Sequence, residues 1–316
     1  MMKRILFSIL MLCLSIGTLS AQDPIFTQFY ANPLYLNPAF AGSGRCLRVN
    51  LNFRNQWAGI EGTYVTYSAS VDKHVDAIQG GLGLIATSDN AGSGVLRTTN
   101  ISGVYSYLFQ PNRYLSIRFG FQATFFQKTI DWSRLTFGDM IDERRGFVYD
   151  TQEKKKLDQK SNVDFSAGIL AYSKRFYGGI AANHLTQPDE GLLGTSKLPM
   201  KITAHAGAML PIGDKGNQTY ISPNVLFQHQ QDFDHLHLGV YINKGPLVAG
   251  MWFRYSDAFI VLVGFQHNSF KIGYSYDVTI SKLTNATYGS HEISFSKQFQ
   301  CKPKSRKIRG DSCPSF

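Results

Sequence analysis

Two histidines spaced two residues apart are the clearest residues of this chain that could bind a metal. His235 and His237 lie in an alternating segment, so both would point to one face of a strand, and His229 is close in sequence. That spacing alone is more typical of solvated histidines than of metal ligands. The stretch from Gly191 to Lys197 has the composition of a phosphate-binding loop but not its spacing, so we interpret it as a surface loop.

Sequence signatures of catalysis are missing from the chain. There is no GxSxG elbow, no Walker loop and no HExxH helix. We therefore expect a protein that is not an enzyme, with no catalytic residue, no cofactor and no metal site.

The elements that carry these residues are fourteen segments of about ten residues between Arg45 and Phe299, most of which alternate apolar and polar residues. In the clearest one, the side chains of Leu47, Val49, Leu51 and Phe53 alternate with those of Arg48, Asn50, Asn52 and Arg54. A face with two arginines cannot contact lipid, so it must face a lumen. The pattern predicts an all-β protein, a transmembrane antiparallel β-barrel of about fourteen strands, because closure leaves no unpaired edge in lipid.

The predicted strands are approximately 47–54, 63–73, 79–88, 97–109, 115–125, 163–169, 175–184, 199–211, 218–228, 235–243, 246–255, 258–266, 269–280 and 287–299. Pro223 predicts a bulge or a late start in the ninth strand. If both termini are periplasmic, the odd-numbered connections are extracellular and usually long. The longest connections, 128–160 and 185–198, are the fifth and the seventh. A soluble sandwich, which composition alone would allow, would not show this parity.

The two ends of the chain have distinct compositions. Residues 1–21 resemble a signal peptide, with Lys3 and Arg4 before an apolar run and a small-residue cleavage site at Ala21. We expect Sec-type export and a place in the bacterial outer membrane; a membrane anchor is the alternative. The net charge is +10, and much of the excess lies in residues 300–316, at Lys302, Lys304, Arg306, Lys307 and Arg309. In an exported protein this predicts a basic periplasmic tail, either solvated or docked on an acidic partner, and no nucleic-acid binding.

Residues 22–44 form an apolar segment ahead of the first strand. Two Asn-Pro pairs predict irregular structure with turns. The segment is too aromatic to be free in water, and its large side chains are Phe26, Phe29, Tyr30, Leu34, Tyr35 and Phe40. We predict that it is a plug inside the barrel; the alternative is packing on the periplasmic rim. The lumen-facing residues Arg48, Arg54, Arg118 and Asp164 predict an internal hydrogen-bonded network rather than an ion pathway.

The fifth connection is too apolar to be disordered. Its candidate partner-binding residues are Trp132, Leu135, Phe137, Asp139, Met140, Ile141, Asp142, Phe147 and Tyr149. We expect it to fold over the barrel mouth as a lid or as a surface that binds a partner.

Three cysteines remain after the leader, in an oxidising compartment. Barrel closure places Cys46 and Cys301 near each other, but face parity puts Cys46 on the lumen side with Arg48 and Cys301 on the lipid side. We therefore predict a bridge that includes Cys313, with Cys46 as the preferred partner; three free thiols are the alternative.

The residues also resemble a known family. Phe26-Thr27-Gln28-Phe29-Tyr30, followed by the stretch from Asn32 to Gly42, resembles the opening of the PorP/SprF family of the type IX secretion and gliding machinery. Further matching stretches are Arg54-Asn55-Gln56-Trp57, Gly81-Leu82-Gly83-Leu84, Gly138-Asp139-Met140-Ile141-Asp142, Gly146-Phe147-Val148, His184-Leu185-Thr186-Gln187-Pro188 and Cys313-Pro314-Ser315-Phe316. The resemblance implies a fourteen-stranded outer-membrane barrel related to the fatty-acid-transporter type. It also implies a non-enzymatic role, as an outer-membrane component on which secreted adhesins, or the secretion apparatus itself, depend.

Two functions of different classes therefore remain open. In the first, the barrel docks a secreted adhesin or its C-terminal sorting domain on the extracellular loops. Its N-terminal segment and basic tail then face the periplasmic secretion machinery. In the second, the lumen transports a small or hydrophobic solute.

Overall fold

The computed structural model describes residues 23–60, 62–142, 144–152, 157–192, 194–212, 219–280, 287–301 and 313. The predicted leader, 1–21, lies outside the described residues. So do the basic residues of the predicted tail, which are Lys302, Lys304, Arg306, Lys307 and Arg309. A search of the described ranges finds no helix that is long and apolar enough to span a membrane.

Fourteen strands account for most of the described chain, each close to its predicted position. They are β1 (Arg48–Gln56), β2 (Tyr64–Val75), β3 (Gly80–Ala91), β4 (Leu96–Phe109), β5 (Ser116–Ile130), β6 (Gln159–Tyr172), β7 (Phe176–Asn183), β8 (Lys201–Ala208, continued by Leu210–Ile212), β9 (Thr219–Gln230), β10 (Phe233–Lys244), β11 (Leu247–Arg254), β12 (Ala258–His267), β13 (Phe270–Thr279) and β14 (Ser290–Gln298). A short α-helix spans Pro33–Leu36, and 3₁₀ turns span Phe29–Ala31, Pro38–Phe40, Asp76–Ile78, Trp132–Arg134 and Gly138–Met140.

The sheet closes into a ring. Each strand pairs antiparallel with the next, and β1 pairs with β14 from Arg48 opposite Gln298 to Gln56 opposite Ser290. The two segments of β8 share one register against β9, so they form one strand interrupted at Met209. The bulge or late start predicted at Pro223 is wrong, because β9 pairs with β10 in unbroken register through that residue. The interruption falls instead on the neighbouring strand β8, at Met209. Pro223 of β9 has no N–H to donate to that strand.

The two faces of the ring follow the alternation in the sequence. Arg48, Asn50, Asn52 and Arg54 of β1 are buried inside. Outward side chains are exposed to the surroundings of the ring, for example Leu51 at 47% and Phe121 at 59%. A continuous apolar outer face around a polar interior is the arrangement of a transmembrane barrel, where lipid covers that outer face.

The connections divide into two groups at opposite ends of the ring, which we name the odd end and the even end after the connection numbers. The two longest connections, 131–158 and 184–200, are the fifth and the seventh and lie at the odd end. Even-numbered connections include the turns 173–175, 245–246 and 268–269. The predicted alternation therefore holds for the longest connections.

A disulfide joins Cys46 to Cys301, with their Cα atoms 5.6 Å apart. The predicted bridge through Cys313 is therefore wrong. Face parity applies only within a strand, and both cysteines lie outside the ladder of β1 and β14. Arg45, which precedes Cys46, has a φ of 61°, so the alternation of faces is already lost there. Cys313 is buried, and its N–H approaches the carbonyl of Ser43 at 3.4 Å.

Candidate functional site

The described N-terminal residues lie within the ring of strands and run along it. Asp23 contacts residues of the odd end, whereas Gly42 contacts β2 near the even end. Between them, the Asn32 amide donates to Ser68 at 2.9 Å, and the Asn37 amide donates to the Ile169 carbonyl at 3.1 Å. The segment thus touches strands on opposite sides of the ring.

Local sequence explains the irregular path of this segment. Proline opens both the α-helical turn at Pro33 and the 3₁₀ turn at Pro38, where its missing N–H costs no hydrogen bond. The Asn37 side chain accepts from the Ala39 N–H at 2.9 Å and so caps the second turn. Of the six predicted large side chains, Phe26, Phe29, Leu34 and Phe40 are buried, and Tyr30 and Tyr35 are half-buried.

An ion cluster on β1, β13 and β14 holds the first part of the segment. The Arg54 guanidinium lies 2.9 Å from Asp277 and 3.2 Å from Glu292. The Glu292 carboxylate also accepts from the backbone N–H groups of Thr27 and Gln28, at 2.6 and 2.9 Å. One buried carboxylate therefore neutralises an arginine and satisfies two amides that no strand ladder could satisfy.

A second anchor lies toward the even end. Arg118 donates to the carbonyls of Ala41 and Gly42 at 2.9 and 3.0 Å. Asp72 accepts from the Gly42 N–H at 2.8 Å and forms an ion pair with Arg48 at 2.9 Å. Arg48, Asp72 and Arg118 thus belong to one hydrogen-bonded network, the other half of which belongs to the segment.

A third contact holds Asp23 at the odd end. His184 lies between two carboxylates, with Nε2 2.9 Å from Asp23 and Nδ1 2.7 Å from Asp164. Lys201 also forms an ion pair with Asp23. Burial alone would lower the pKa of His184, but the charge of Asp23 and the hydrogen bonds to both carboxylates raise it to about 9. His184 is therefore protonated at neutral pH and bridges the segment to β6.

Glycines make room for the segment on the strand walls. A Cβ added to Gly120 of β5 would lie 2.2 Å from the backbone nitrogen of Ala39, and one added to Gly81 of β3 would lie 2.2 Å from the Ala41 carbonyl oxygen. Any side chain at either position would push the segment away from the wall.

The described residues of the long connection between β5 and β6 contact one another and expose apolar side chains. Trp132 is buried, stacks on Phe137 with ring centroids 6.3 Å apart, and donates to the Leu157 carbonyl. Within this loop, Ile141–Asp142 pairs with Gly146–Phe147 as a two-residue hairpin.

Acidic side chains stabilise the turns of this loop. Asp142 accepts from the backbone N–H groups of Arg144 and Arg145, both at 2.9 Å, and from the Tyr149 hydroxyl at 3.0 Å, which lowers the pKa of its exposed carboxyl. Asp139 accepts from the Gln152 N–H at 2.7 Å.

Four large side chains of the loop, Ile141, Phe147, Val148 and Tyr149, are each at least half exposed. We name these four residues the loop patch. Of the other predicted partner-binding residues, Trp132, Asp139 and Asp142 support the loop, and Leu135, Phe137 and Met140 are half-buried.

Sequence reasoning missed several residues that hold the segment. They are Asp23, Asp72, His184, Lys201, Arg254, Asp277 and Glu292. The alternation that identified Arg48 would also have placed Asp72, Asp277 and Glu292 inside, because each shares a face with serines two residues away. The two histidines considered as metal ligands lie on β10, with their ring centroids 6.5 Å apart. Within the described part of the chain, no group of three or more His, Cys, Asp or Glu residues could hold a metal ion.

A closed fourteen-stranded ring with an apolar outer face and a charged interior defines the chain as an outer-membrane β-barrel. A family model described as type IX secretion system membrane protein PorP/SprF matches residues 18–296. The chain therefore belongs to the PorP/SprF family, as its N-terminal motif suggested.

Solved structures with a similar fold are distant in sequence. The CymD monoaromatic hydrocarbon channel aligns with 91% of this chain and 97% of its own, at 13% identity and a TM-score of 0.48. The toluene transporter TodX of P. putida aligns with 84% of this chain and 93% of its own, at 10% identity and a TM-score of 0.44. Omp33 of Acinetobacter baumannii aligns with 81% of this chain and 100% of its own, at 10% identity and a TM-score of 0.44. No curated protein matches the sequence.

Proposed function

We propose that this protein is a non-enzymatic component of the type IX secretion system that docks a secreted adhesin, or the C-terminal sorting domain of another cargo protein, at the cell surface. In this proposal the odd end faces the exterior and the even end faces the periplasm. The observation that carries it is the loop patch, since large apolar side chains exposed on a surface loop are a common feature of protein-binding sites.

The N-terminal segment acts in this proposal as a permanent plug. Its support is the set of three anchors described above, which engage it at Asp23, at the ion cluster on β1, β13 and β14, and toward the even end. A barrel of fourteen strands is too wide for its own side chains to fill, so an added segment is needed to close it. A closed barrel is compatible with a docking function, because the outer membrane remains sealed while a partner is bound. The basic tail would face the secretion machinery in the periplasm.

The test is affinity purification from native membranes with a variant of the loop patch. Phe147→Ser combined with Val148→Ser removes the two central apolar side chains without touching Asp142, which supports the hairpin. We expect a large surface protein to co-purify with the wild type and to be lost from the double variant.

Tyr255→Ser is the matched control, because Tyr255 is equally exposed, at 65%, on a tight connection of the same end. It should retain the partner. Both variants should keep the heat-modifiable migration of a folded barrel on gels. Recovery of the partner at wild-type level with the double variant would place the docking site elsewhere.

A further inference from the structure

A cavity of about 420 Å³ lies at the odd end, between the start of the N-terminal segment and the wall formed by β2 to β5. We name it the vestibule. Pro24 and Ile25 of the segment form one side, and Tyr64, Asp89 and Phe126 lie on the other. The volume falls in the range of sites that bind small molecules or individual side chains of a partner.

The charges around the vestibule are balanced except for one. Asp23 and Asp164 flank His184, and Lys128 forms an ion pair with Glu190 at 3.1 Å. Asp89 has no ion pair within the described residues. Its carboxylate accepts from the Thr66 hydroxyl at 2.6 Å, and the second carboxylate oxygen is available to a ligand. A half-buried carboxylate without a counter-ion favours a cation.

The other groups that line the vestibule suit a long basic side chain, both its aliphatic part and its charged end group. Trp57 and Tyr64 lie edge to face at the rim, with ring centroids 5.5 Å apart, and Phe126 is buried in the wall. Aromatic faces attract ammonium and guanidinium groups and pack against their aliphatic stems. Thr87, which is 8% exposed, also lines the cavity.

The vestibule wall and the loop patch are connected along the chain. β5 carries Phe126 and Lys128 on the vestibule wall and then continues into the connection that contains the patch. The side chain of Arg134, early in that connection, donates to the Ser93 carbonyl between β3 and β4 and so holds the loop against the same side of the barrel.

From these observations we infer that the vestibule receives a lysine or arginine side chain of the polypeptide that docks on the loop patch, with its cationic head on Asp89. This inference rests on the proposed function and specifies the chemistry of the partner, which presents a basic residue beside an apolar surface.

The test uses the purified full-length protein in detergent without any partner. The probe is the tripeptide acetyl-Gly-Arg-Gly-amide, and the comparison is the same tripeptide with citrulline, which keeps the shape and loses the charge. Isothermal titration should show saturable binding of the arginine peptide, weakened at least about tenfold in the citrulline peptide, because a charge-assisted hydrogen bond is lost.

Variants locate the site. Asp89→Asn should weaken binding of the arginine peptide about as much as citrulline does, and Asp89→Glu should retain it. Asp232→Asn, at an exposed turn of the same end, is the control and should bind like the wild type.

Failure to bind the arginine peptide, or equal binding of the citrulline peptide by the wild type, would overturn the inference even if the Asp89 variants did not fold. Because no partner is present, such a result would leave the loop-patch experiment unaffected. Conversely, if the loop-patch experiment contradicted the docking proposal, the arginine peptide would still be expected to bind.

Discussion

Replacing Glu292 by alanine should release the first part of the N-terminal segment while the barrel stays closed. Glu292 is fully buried on β14, and its carboxylate has three partners. It accepts from the N–H groups of Thr27 and Gln28 and forms an ion pair with Arg54. The two N–H bonds join the backbone of the segment to the wall, beside side-chain bonds between Thr27 and Asp277 and between Gln28 and Ser294, so their removal tests how much of the hold depends on Glu292.

The expected magnitude follows from what the alanine leaves behind. Arg54 and Glu292 both belong to the wall, so the loss of their ion pair affects the closed and the open segment alike. The opening equilibrium changes through the two buried N–H groups, each of which costs about 1–3 kcal/mol without an acceptor. At the lower bound, a loss of about 2 kcal/mol raises the opening equilibrium of the segment about 30-fold. Glu292→Gln keeps an oxygen that can accept from one amide, so its effect should be smaller.

Hydrogen exchange followed by mass spectrometry measures this opening directly. Peptides that contain Thr27 and Gln28 should exchange much faster in Glu292→Ala than in the wild type, while strand peptides remain protected. Glu190→Ala is the control, because it removes another buried carboxylate, paired with Lys128, that has no recorded bond to these amides. Unchanged exchange at Thr27 and Gln28 in a folded Glu292→Ala protein would refute the reasoning.

Three further predictions concern the plug, the cysteines and the odd-end histidine. Deleting residues 22–42 should open a conductance in planar bilayers; a silent trace from a folded deletion variant would mean that another element closes the barrel. Mass mapping of unreduced peptides should show Cys46 joined to Cys301. Burial raises the pKa of Cys313 to about 12, so an alkylating reagent should modify it only after unfolding. The ring of His184 should titrate near pH 9 by NMR rather than near 6.5. Because its pKa is raised in the folded state, its stabilising contribution is complete below about pH 6.5 and is lost as the pH rises through about 9; titration near 6.5 would contradict the bridge.

The strands could be predicted because one physical rule determines them. Arg48 and Arg54 cannot face lipid, and the period of two in a strand then assigns every neighbour to a face. The same rule failed at Cys46, because alternation ends where the strand ends. The residue types at this position do not predict that the backbone at Arg45 takes a positive φ.

The partners of the lumen charges could not be read from the sequence in the same way. Asp277 and Glu292 are more than two hundred residues from Arg54, and they meet it only because β1 closes against β14. Composition indicated that the segment should be buried. It did not indicate that Asp23 would lie at the odd end, since that depends on His184 in a distant connection.

The interior charges explain why the segment and the barrel must be considered as one unit. Arg118 has no acidic partner within the described residues, and its guanidinium donates to the backbone carbonyls of Ala41 and Gly42 as well as to side chains of the wall. A buried cation without those carbonyls would be costly, so an empty ring would need water around it. The charges that exclude the inner face of the ring from lipid therefore also need the bonds that the N-terminal segment provides. Asp89, at the odd end, has no ion pair within the described residues, and the odd end is the side on which we place the partner.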